Sequence, residues 1–197
     1  MRIVGVIPAR MASSRFPGKP LALILGKPMI EHVYRRSALC RSLDRLAVAT
    51  PDDEIARVVR GFGGEVVMTS PLHERATDRV AEAARVTGGD IVVVIQGDEP
   101  LLRPEMMDAA VRPLTEDETV FCSNLVHPIE TVEEFENPNT IKVVMDHNGD
   151  ALYFSREPIP SPRKFGFAKI RAYKQVCIMP FHRDNLFRFL ELPPTPL

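Results

Sequence analysis

The chain has 197 residues, of which 45% are hydrophobic and 26% are charged, and its formal net charge is -1 at pH 7. These values are typical of an ordinary soluble globular protein, and the near-zero charge gives no global field that would favour nucleic acid or a membrane surface as a partner. The length suits one domain, or one domain with a small appendage.

The cysteines and the first residues give an expectation about the compartment. Cys40, Cys122 and Cys177 are widely separated and include no Cys-x-x-Cys pair, which favours a reduced protein without a disulfide framework or a zinc site. The opening MRIVGVIPARM holds no long apolar segment, and no apolar run reaches the ~18 residues of a membrane span. We therefore predict a cytoplasmic protein without a signal peptide.

The first half of the chain alternates predicted strands and helices. Helices are predicted from Pro28 through a stripe that ends at Leu39, from the capping residues Asp52 and Asp53 to the glycines at 63–64, and from a cap at Thr77 through Val86. Strands are predicted at residues 2–7, 46–50, 66–68 and 91–95. The last of these, IVVVI, is apolar throughout, as in a strand that is covered on both faces. This alternation predicts an α/β protein whose parallel sheet has helices on both sides.

The second half reads differently and predicts antiparallel pairing. Residues 147–150, His-Asn-Gly-Asp, form a strong hairpin signal, because Asn-Gly suits the positive φ angles of a tight turn. Residues 157–164 are rich in proline and predict a loop. Helices are predicted at residues 104–114 and 183–192, and strands at residues 120–126, 141–146, 151–154 and 173–181.

The loop after the first strand is cationic. It reads PARMASSRFPGKP and carries Arg10, Arg15 and Lys19, with small residues such as Ser13 and Gly18 and no acid. Arginine and lysine donors suit a polyphosphate, small residues let backbone N–H groups approach an anion, and ligands bind at the carboxyl ends of parallel strands. The alternative is a solvated basic loop. Neither a Walker A loop nor a Gly-x-Gly-x-x-Gly sequence is present.

Two further segments could complete a site at this edge of the sheet. QGDEP follows the strand at 91–95, so Asp98 could bind Mg²⁺ together with substrate phosphates, or could be only a turn residue or helix cap. HERATDR, residues 73–79, could read a base through backbone groups and one arginine. Alternatively it is a helix start capped by Thr77, with Arg75 and Arg79 exposed. We expect Lys19 and Asp98 to share one cleft.

Five segments in order resemble one known family, the 3-deoxy-manno-octulosonate (Kdo) cytidylyltransferases. These segments are PARMASSRFPGKPL followed by GKPMIEHV, QGDEP, NPNTIKVVMD and ALYFSREPIP. The resemblance implies a Rossmann-like three-layer sheet of the nucleotide-diphospho-sugar transferase type, CTP as donor, Mg²⁺ as cofactor and often a homodimer. It also implies one domain over residues 1–197, with a nucleotide-binding half at 1–118 and a sugar-acid-binding and dimerisation half at 119–197.

The resemblance assigns roles residue by residue. Lys19 and Arg15 would bind the β- and γ-phosphates, Arg10 the α-phosphate or the sugar carboxylate, and Asp98 the Mg²⁺; these four are the predicted catalytic residues. The predicted nucleotide-binding residues are Pro8, Ala9, Arg10, Ser13, Arg15, Lys19, Arg75, Ala76, Thr77, Gln96 and Asp98. The predicted residues for the acid substrate are Arg10, Gln96, Gln175 and Met179.

The chain also departs from the family pattern. Ala76 stands where the family usually has glycine, and Gln175 and Met179 align with a histidine and a tyrosine that face the sugar acid. A different acid is therefore an alternative substrate: an amino-modified Kdo, another ulosonic acid or a phosphonate. The family continues beyond ELPPTPL with a glutamate-rich helix, a strand and a late aspartate that helps to hold Mg²⁺. An inactive homologue that serves as a dimer partner is the third alternative.

Overall fold

The computed structural model describes residues 1–12, 16–193 and 195 and comprises two compact units. The first unit is Met1–Ser123 together with Ile178–Leu197, and the second is Asn124–Cys177. The strands are β1 (Ile3–Pro8), β2 (Leu23–Ile24), β3 (Lys27–Pro28), β4 (Arg45–Thr50), β5 (Glu65–Met68), β6 (Ile91–Ile95), β7 (Leu125–Pro128), β8 (Lys142–Met145), β9 (Ala151–Ser155), β10 (Tyr173–Val176) and β11 (Ile178–His182). The helices are α1 (Met29–Ser37), α2 (Asp53–Gly61), α3 (Ala76–Thr87), α4 (Pro104–Glu116), α5 (Val132–Glu136) and α6 (Arg183–Glu191).

The first unit is built on a five-stranded sheet in the order β11-β6-β1-β4-β5, in which only β11 is antiparallel to its neighbour. Successive side chains of a strand point to opposite faces. Val4 and Val6 of β1 face a core that includes residues of α3 and α6, while Ile7 approaches Ile30 of α1 on the other face. The predicted three-layer α/β/α arrangement is therefore confirmed.

The strands of this sheet are buried because helices cover both faces. Every residue of β6 is fully inaccessible to solvent, as the apolar run IVVVI predicts. The helix prediction from Pro28 is wrong at its end, since α1 ends at Ser37 and Leu39 is exposed. Thr77 is not a cap either, because α3 begins at Ala76 and Thr77 lies in its first turn.

The predicted strand at 173–181 is wrong, because it is two strands in two different sheets. β10, in the second unit, pairs with β7 and β8, whereas β11, in the first unit, pairs with β6. The predicted strand at 120–126 is also wrong. Cys122 forms only an isolated bridge to Phe181, and pairing in the second unit starts at Leu125. The boundary between the two compact units follows Ser123.

The second unit is a four-stranded antiparallel sheet in the order β7-β10-β8-β9, with α5 beside it. The predicted hairpin is confirmed: the Asp146 N–H donates to the Asp150 carbonyl over 2.9 Å, and Gly149 has a φ of 92°. Lys142 is fully buried, and its ammonium donates to the carbonyls of Asn137, Thr140 and Arg156. Burial lowers the pKa of Lys142, and the three carbonyls replace water as hydrogen-bond acceptors.

In the part of the chain that the structure describes, no helix combines the length and apolar character needed to cross a membrane.

Candidate active site

A cleft lies where the strand order of the first unit reverses. The chain passes from β1 to β4 and β5 on one side and then to β6 on the other side of β1, so a crevice opens beyond the carboxyl ends of β1 and β6. The cleft encloses about 820 Å³, part of which is open to solvent. It is lined by Pro8, Ala9, Arg10, Lys19, Pro20, Met29, His73, Glu74, Arg75, Ala76, Arg79, Gln96, Gly97 and Asp98.

The described parts of the cationic loop, residues 9–12 and 16–19, contribute Ala9, Arg10 and Lys19 to the cleft and are fixed largely through their backbone. The Ala9 N–H donates to the Ala49 carbonyl over 2.9 Å, and the Met11 N–H donates to Oδ2 of Asp52 over 2.8 Å. The Gly18 N–H donates to the Met11 carbonyl over 3.0 Å, with Gly18 at a φ of 73°. These bonds leave the Arg10 side chain exposed in the cleft. The predicted residues Ser13 and Arg15 lie outside the described residues.

The opposite wall carries the predicted carboxylate. Nζ of Lys19 and Oδ2 of Asp98 are 2.5 Å apart, and both side chains are more than one-third exposed. Next to Asp98, the chain at Gly97 approaches the end of β1 closely, because a Cβ at that position would lie 2.9 Å from the Pro8 carbonyl oxygen. The structure therefore brings Lys19 and Asp98 into one cleft, as expected from their strand ends.

The third wall is the segment from Thr69 to Arg75, called here the 69–75 loop, which is held by two side chains of α3. Arg79 is only 3% exposed and donates to Oγ1 of Thr69 over 2.6 Å, to the Ser70 carbonyl over 3.1 Å and to the His73 carbonyl over 3.3 Å. Glu82 accepts the Ser70 N–H over 2.9 Å, and its carboxylate lies 2.5 Å from Nε2 of His73. Arg79 is thus a buried group of the site, not an exposed charge.

The electrostatics of this wall follow from burial and from neighbouring charges. Burial lowers the pKa of Arg79, and the nearby Arg10 guanidinium lowers it further. Burial raises the pKa of Glu82, but the Ser70 N–H and His73 more than offset this and hold it below its ordinary value. Two guanidinium groups that repel each other across a cleft favour an anionic ligand between them.

The predicted site residues fall into two groups. Pro8, Ala9, Arg10, Lys19, Arg75, Ala76, Gln96 and Asp98 line the cleft. Thr77 lies in the first turn of α3, next to the cleft-lining Ala76. Met179 lies on β11 and packs against the core beside α3 and α6, and Gln175 belongs to β10 in the second unit.

Sequence reasoning missed Arg79, His73 and Gly97 as parts of the site. For Arg79, the sequence does contain an indication that the side chain is buried. The buried positions of α3 include 79, 80, 83, 84 and 87, so this arginine lies on the apolar stripe of its helix. A charged residue on such a stripe indicates a buried group with dedicated partners.

The fold and this cleft define an α/β protein with a cationic, anion-binding crevice at a topological switch point, the class to which nucleotide-binding enzymes of the open-sheet type belong. The family model described as cytidylyltransferase matches residues 4–197. The chain therefore belongs to the cytidylyltransferase family.

Individual relatives and solved structures to which this chain is similar support the same family assignment. Proteins named 3-deoxy-manno-octulosonate cytidylyltransferase match from Geobacter sulfurreducens (48% identity, 100% of this chain and 82% of the relative) and from Syntrophobacter fumaroxidans (52% identity, 100% and 80%). A structure of CMP:2-keto-3-deoxy-manno-octonic acid synthetase complexed with CTP matches at a TM-score of 0.92, with 42% identity over 100% of this chain and 80% of that chain. A cytidylyltransferase structure from Leptospira borgpetersenii, 18% identical with a TM-score of 0.65 over 100% of this chain and 66% of that one, shares the fold.

Proposed function

We propose that this chain is a cytoplasmic enzyme that transfers CMP from CTP to Kdo and releases pyrophosphate. The observation that carries the proposal is the convergence of Arg10, Lys19 and Asp98 in one cleft at the carboxyl ends of β1 and β6. The names of the relatives, at about half identity over the whole chain, supply the acid and the donor. The cleft on its own would indicate only that the ligand carries phosphate groups.

The proposed reaction needs positioning and charge neutralisation more than covalent chemistry from the protein. The anomeric hydroxyl of the acid attacks the α-phosphorus of CTP in line, and pyrophosphate leaves on the opposite side. Lys19 and Arg15 bind the β- and γ-phosphates, and Arg10 binds the α-phosphate or the sugar carboxylate. The Lys19 ammonium is partly exposed, and its ion-pair partner among the described residues is Asp98, so a phosphate can replace that partner.

Asp98 is the residue that we assign to Mg²⁺. A cleft-facing carboxylate together with substrate phosphates is the ligand set that Mg²⁺ prefers. Among the described residues no three histidine, cysteine or acidic side chains are grouped to hold a metal by themselves. A single carboxylate that is joined by substrate phosphates fits an ion that binds with the nucleotide. A bound Mg²⁺ would be held by Asp98 and would neutralise phosphate charge, while Lys19 would bind the triphosphate.

The remaining cleft residues divide between the base and the acid. We assign Arg75, at the end of the 69–75 loop, and Ala76 and Thr77, in the first turn of α3, to the cytosine side. Pro8 and Ala9 stay proposed nucleotide-binding residues because they line the cleft beside Arg10, and Gln96 serves the nucleotide or the acid. Gln175 and Met179 stay proposed residues for the acid; the Met179 thioether can only pack, so it would shape a pocket and would not hydrogen-bond.

We further propose that the enzyme is a homodimer that associates through β9. This strand forms an edge of the second unit's sheet, and its apolar residues Leu152, Tyr153 and Phe154 are all exposed. An antiparallel β9 pair centred on Tyr153 would place Asp150 of one copy opposite Arg156 of the other. Light scattering tests this: Tyr153→Glu should give monomers, Val86→Glu at an exposed position of α3 should not, and a monomeric wild type contradicts the proposal.

The decisive experiment measures pyrophosphate release from CTP and Mg²⁺ over a panel of acids. Release with Kdo is the expected result. Release only with an amino-modified Kdo, another ulosonic acid or a phosphonate would mean that the reaction is the proposed one but that its substrate is a different acid. No pyrophosphate release with any acid, in a protein that still binds CTP in calorimetry, would identify an inactive homologue. Equal affinity for CTP and ATP would count against a site that reads cytosine.

A further inference from the structure

Arg79 joins the two ends of the 69–75 loop through one guanidinium group. Nη1 donates to Thr69 and Ser70 at the start of the loop, and Nη2 donates to the His73 carbonyl near its end. The planar fork of arginine can hold acceptors that lie in different directions, which the single ammonium of lysine cannot reproduce in the same geometry. The path of this loop across the cleft therefore depends on a side chain outside the loop.

Glu82 reinforces the same two positions from the next turn of the helix. Residues 79 and 82 are three apart and so lie on one face of α3. Glu82 accepts the Ser70 N–H and contacts the His73 ring, so Ser70 and His73 are each held by both side chains. The loop is therefore held by two oppositely charged side chains, Arg79 and Glu82, whose hydrogen-bond partners are groups of the loop.

Arg79 is also a buried positive charge at the cleft. Its hydrogen bonds go to a hydroxyl and two carbonyls, and no carboxylate among the described residues lies within ion-pair distance of it. It lines the cleft together with Arg10. A buried guanidinium with neutral partners is costly, and an anion in the cleft lowers that cost. An anion bound in the cleft would therefore also stabilise the charge of the residue that holds this loop.

We propose that Arg79 is a positioning residue that sets base selectivity by holding the 69–75 loop in the shape that fits cytosine. This inference rests on the proposed function, since it takes the cleft to be a CTP site. Arg79 acts through the loop and need not touch the base. The predicted effect on base selectivity depends on the geometry of its several N–H donors and not on its charge alone.

The test compares Arg79→Lys with Arg85→Lys, a matched control on an exposed position of the same helix that stacks on Phe187. Arg79→Lys keeps the charge and loses the fork. Loss of one or two charge-assisted hydrogen bonds predicts that KM for CTP rises about tenfold and that the preference for CTP over UTP falls about tenfold, while kcat changes less than about threefold. Arg85→Lys should match the wild type in all three.

Glu82→Gln is the second variant and keeps the proposal testable if Arg79→Lys does not fold. It retains the shape of the side chain and weakens the bonds to Ser70 and His73, so it should reduce the CTP preference in the same direction by about threefold. Wild-type selectivity in the folded variants overturns the proposal. An equal loss of affinity for CTP and UTP also overturns it, because that pattern indicates a purely structural or electrostatic role.

Calorimetry with CTP and UTP separates failure of this inference from failure of the proposed function. A wild-type protein that binds CTP over UTP without releasing pyrophosphate refutes the transfer reaction, and the same titrations on Arg79→Lys still decide the role of the loop. A wild-type protein that binds neither nucleotide refutes both proposals.

Discussion

The two loops that line the cleft, the cationic loop and the 69–75 loop, use charge in opposite ways. The cationic loop is fixed by backbone hydrogen bonds and by Asp52, so the side chains of Arg10 and Lys19 remain accessible. The 69–75 loop is fixed by the side chains of Arg79 and Glu82, whose charges are largely engaged in holding it. A charged side chain near the site is available to a ligand where backbone hydrogen bonds hold its loop in place. It is less available where the charged group itself holds the loop.

The largest effect is expected at an accessible charge of the cationic loop. Lys19→Ala should leave the fold intact and lower kcat for pyrophosphate release by about 10²–10³, as loss of one well-placed charge-stabilising donor does. Lys27→Ala is the matched control, since Lys27 pairs with Glu31 at 3.7 Å and does not line the cleft. Wild-type turnover in folded Lys19→Ala protein would remove Lys19 from the proposed mechanism.

A smaller effect is expected when the two walls of the cleft are forced apart. Gly97→Ala places a methyl group 2.9 Å from the Pro8 carbonyl oxygen, and backbone must move to relieve the contact. We expect a loss of about 1–3 kcal/mol in the free energy of unfolding, as for other overpacked sites, with a higher KM for CTP. Chemical denaturation and steady-state kinetics measure the two effects.

Gly61→Ala is the control for that substitution, because a Cβ there meets nothing within 4 Å and the residue is the last of α2. It should be neutral or stabilising by up to about 1 kcal/mol, since alanine lowers the entropy of the unfolded chain. Equal stability for the two variants would show that the close approach at Gly97 does not constrain the cleft.

The smallest effect concerns the clamp of the 69–75 loop and its dependence on pH. The folded-state pKa of Glu82 lies below its ordinary 4.5, so its stabilising contribution is fully present above pH 4.5 and is lost as the pH falls through the lower folded value. Hydrogen-exchange protection of the Ser70 amide, corrected for intrinsic exchange, should therefore decrease only at acid pH. Glu82→Gln should remove this dependence, and a loss of protection between pH 6 and 8 would contradict it.

Much of the first unit could be predicted from short segments. The strand at Ile91–Ile95 has the predicted bounds, because an uninterrupted apolar run suits a strand covered on both faces. The positions of Lys19 and Asp98 after two such strands also predicted a shared cleft, since parallel strands end at one edge. The Asn148-Gly149 turn was predictable because its backbone requirement is local.

Other features depend on partners far along the chain, and these the sequence alone did not decide. A continuous strand-like run at 173–181 carries no sign that β10 and β11 pair in different sheets, because the partner of β11 lies more than 80 residues away in β6. The charge of Arg79 suggests exposure, and only the fold places Thr69, Ser70 and His73 around it. Local propensity and periodicity determined the elements and the chemistry at their ends. Tertiary packing decided which strands pair and which charges are buried, because burial depends on contacts that no short window contains.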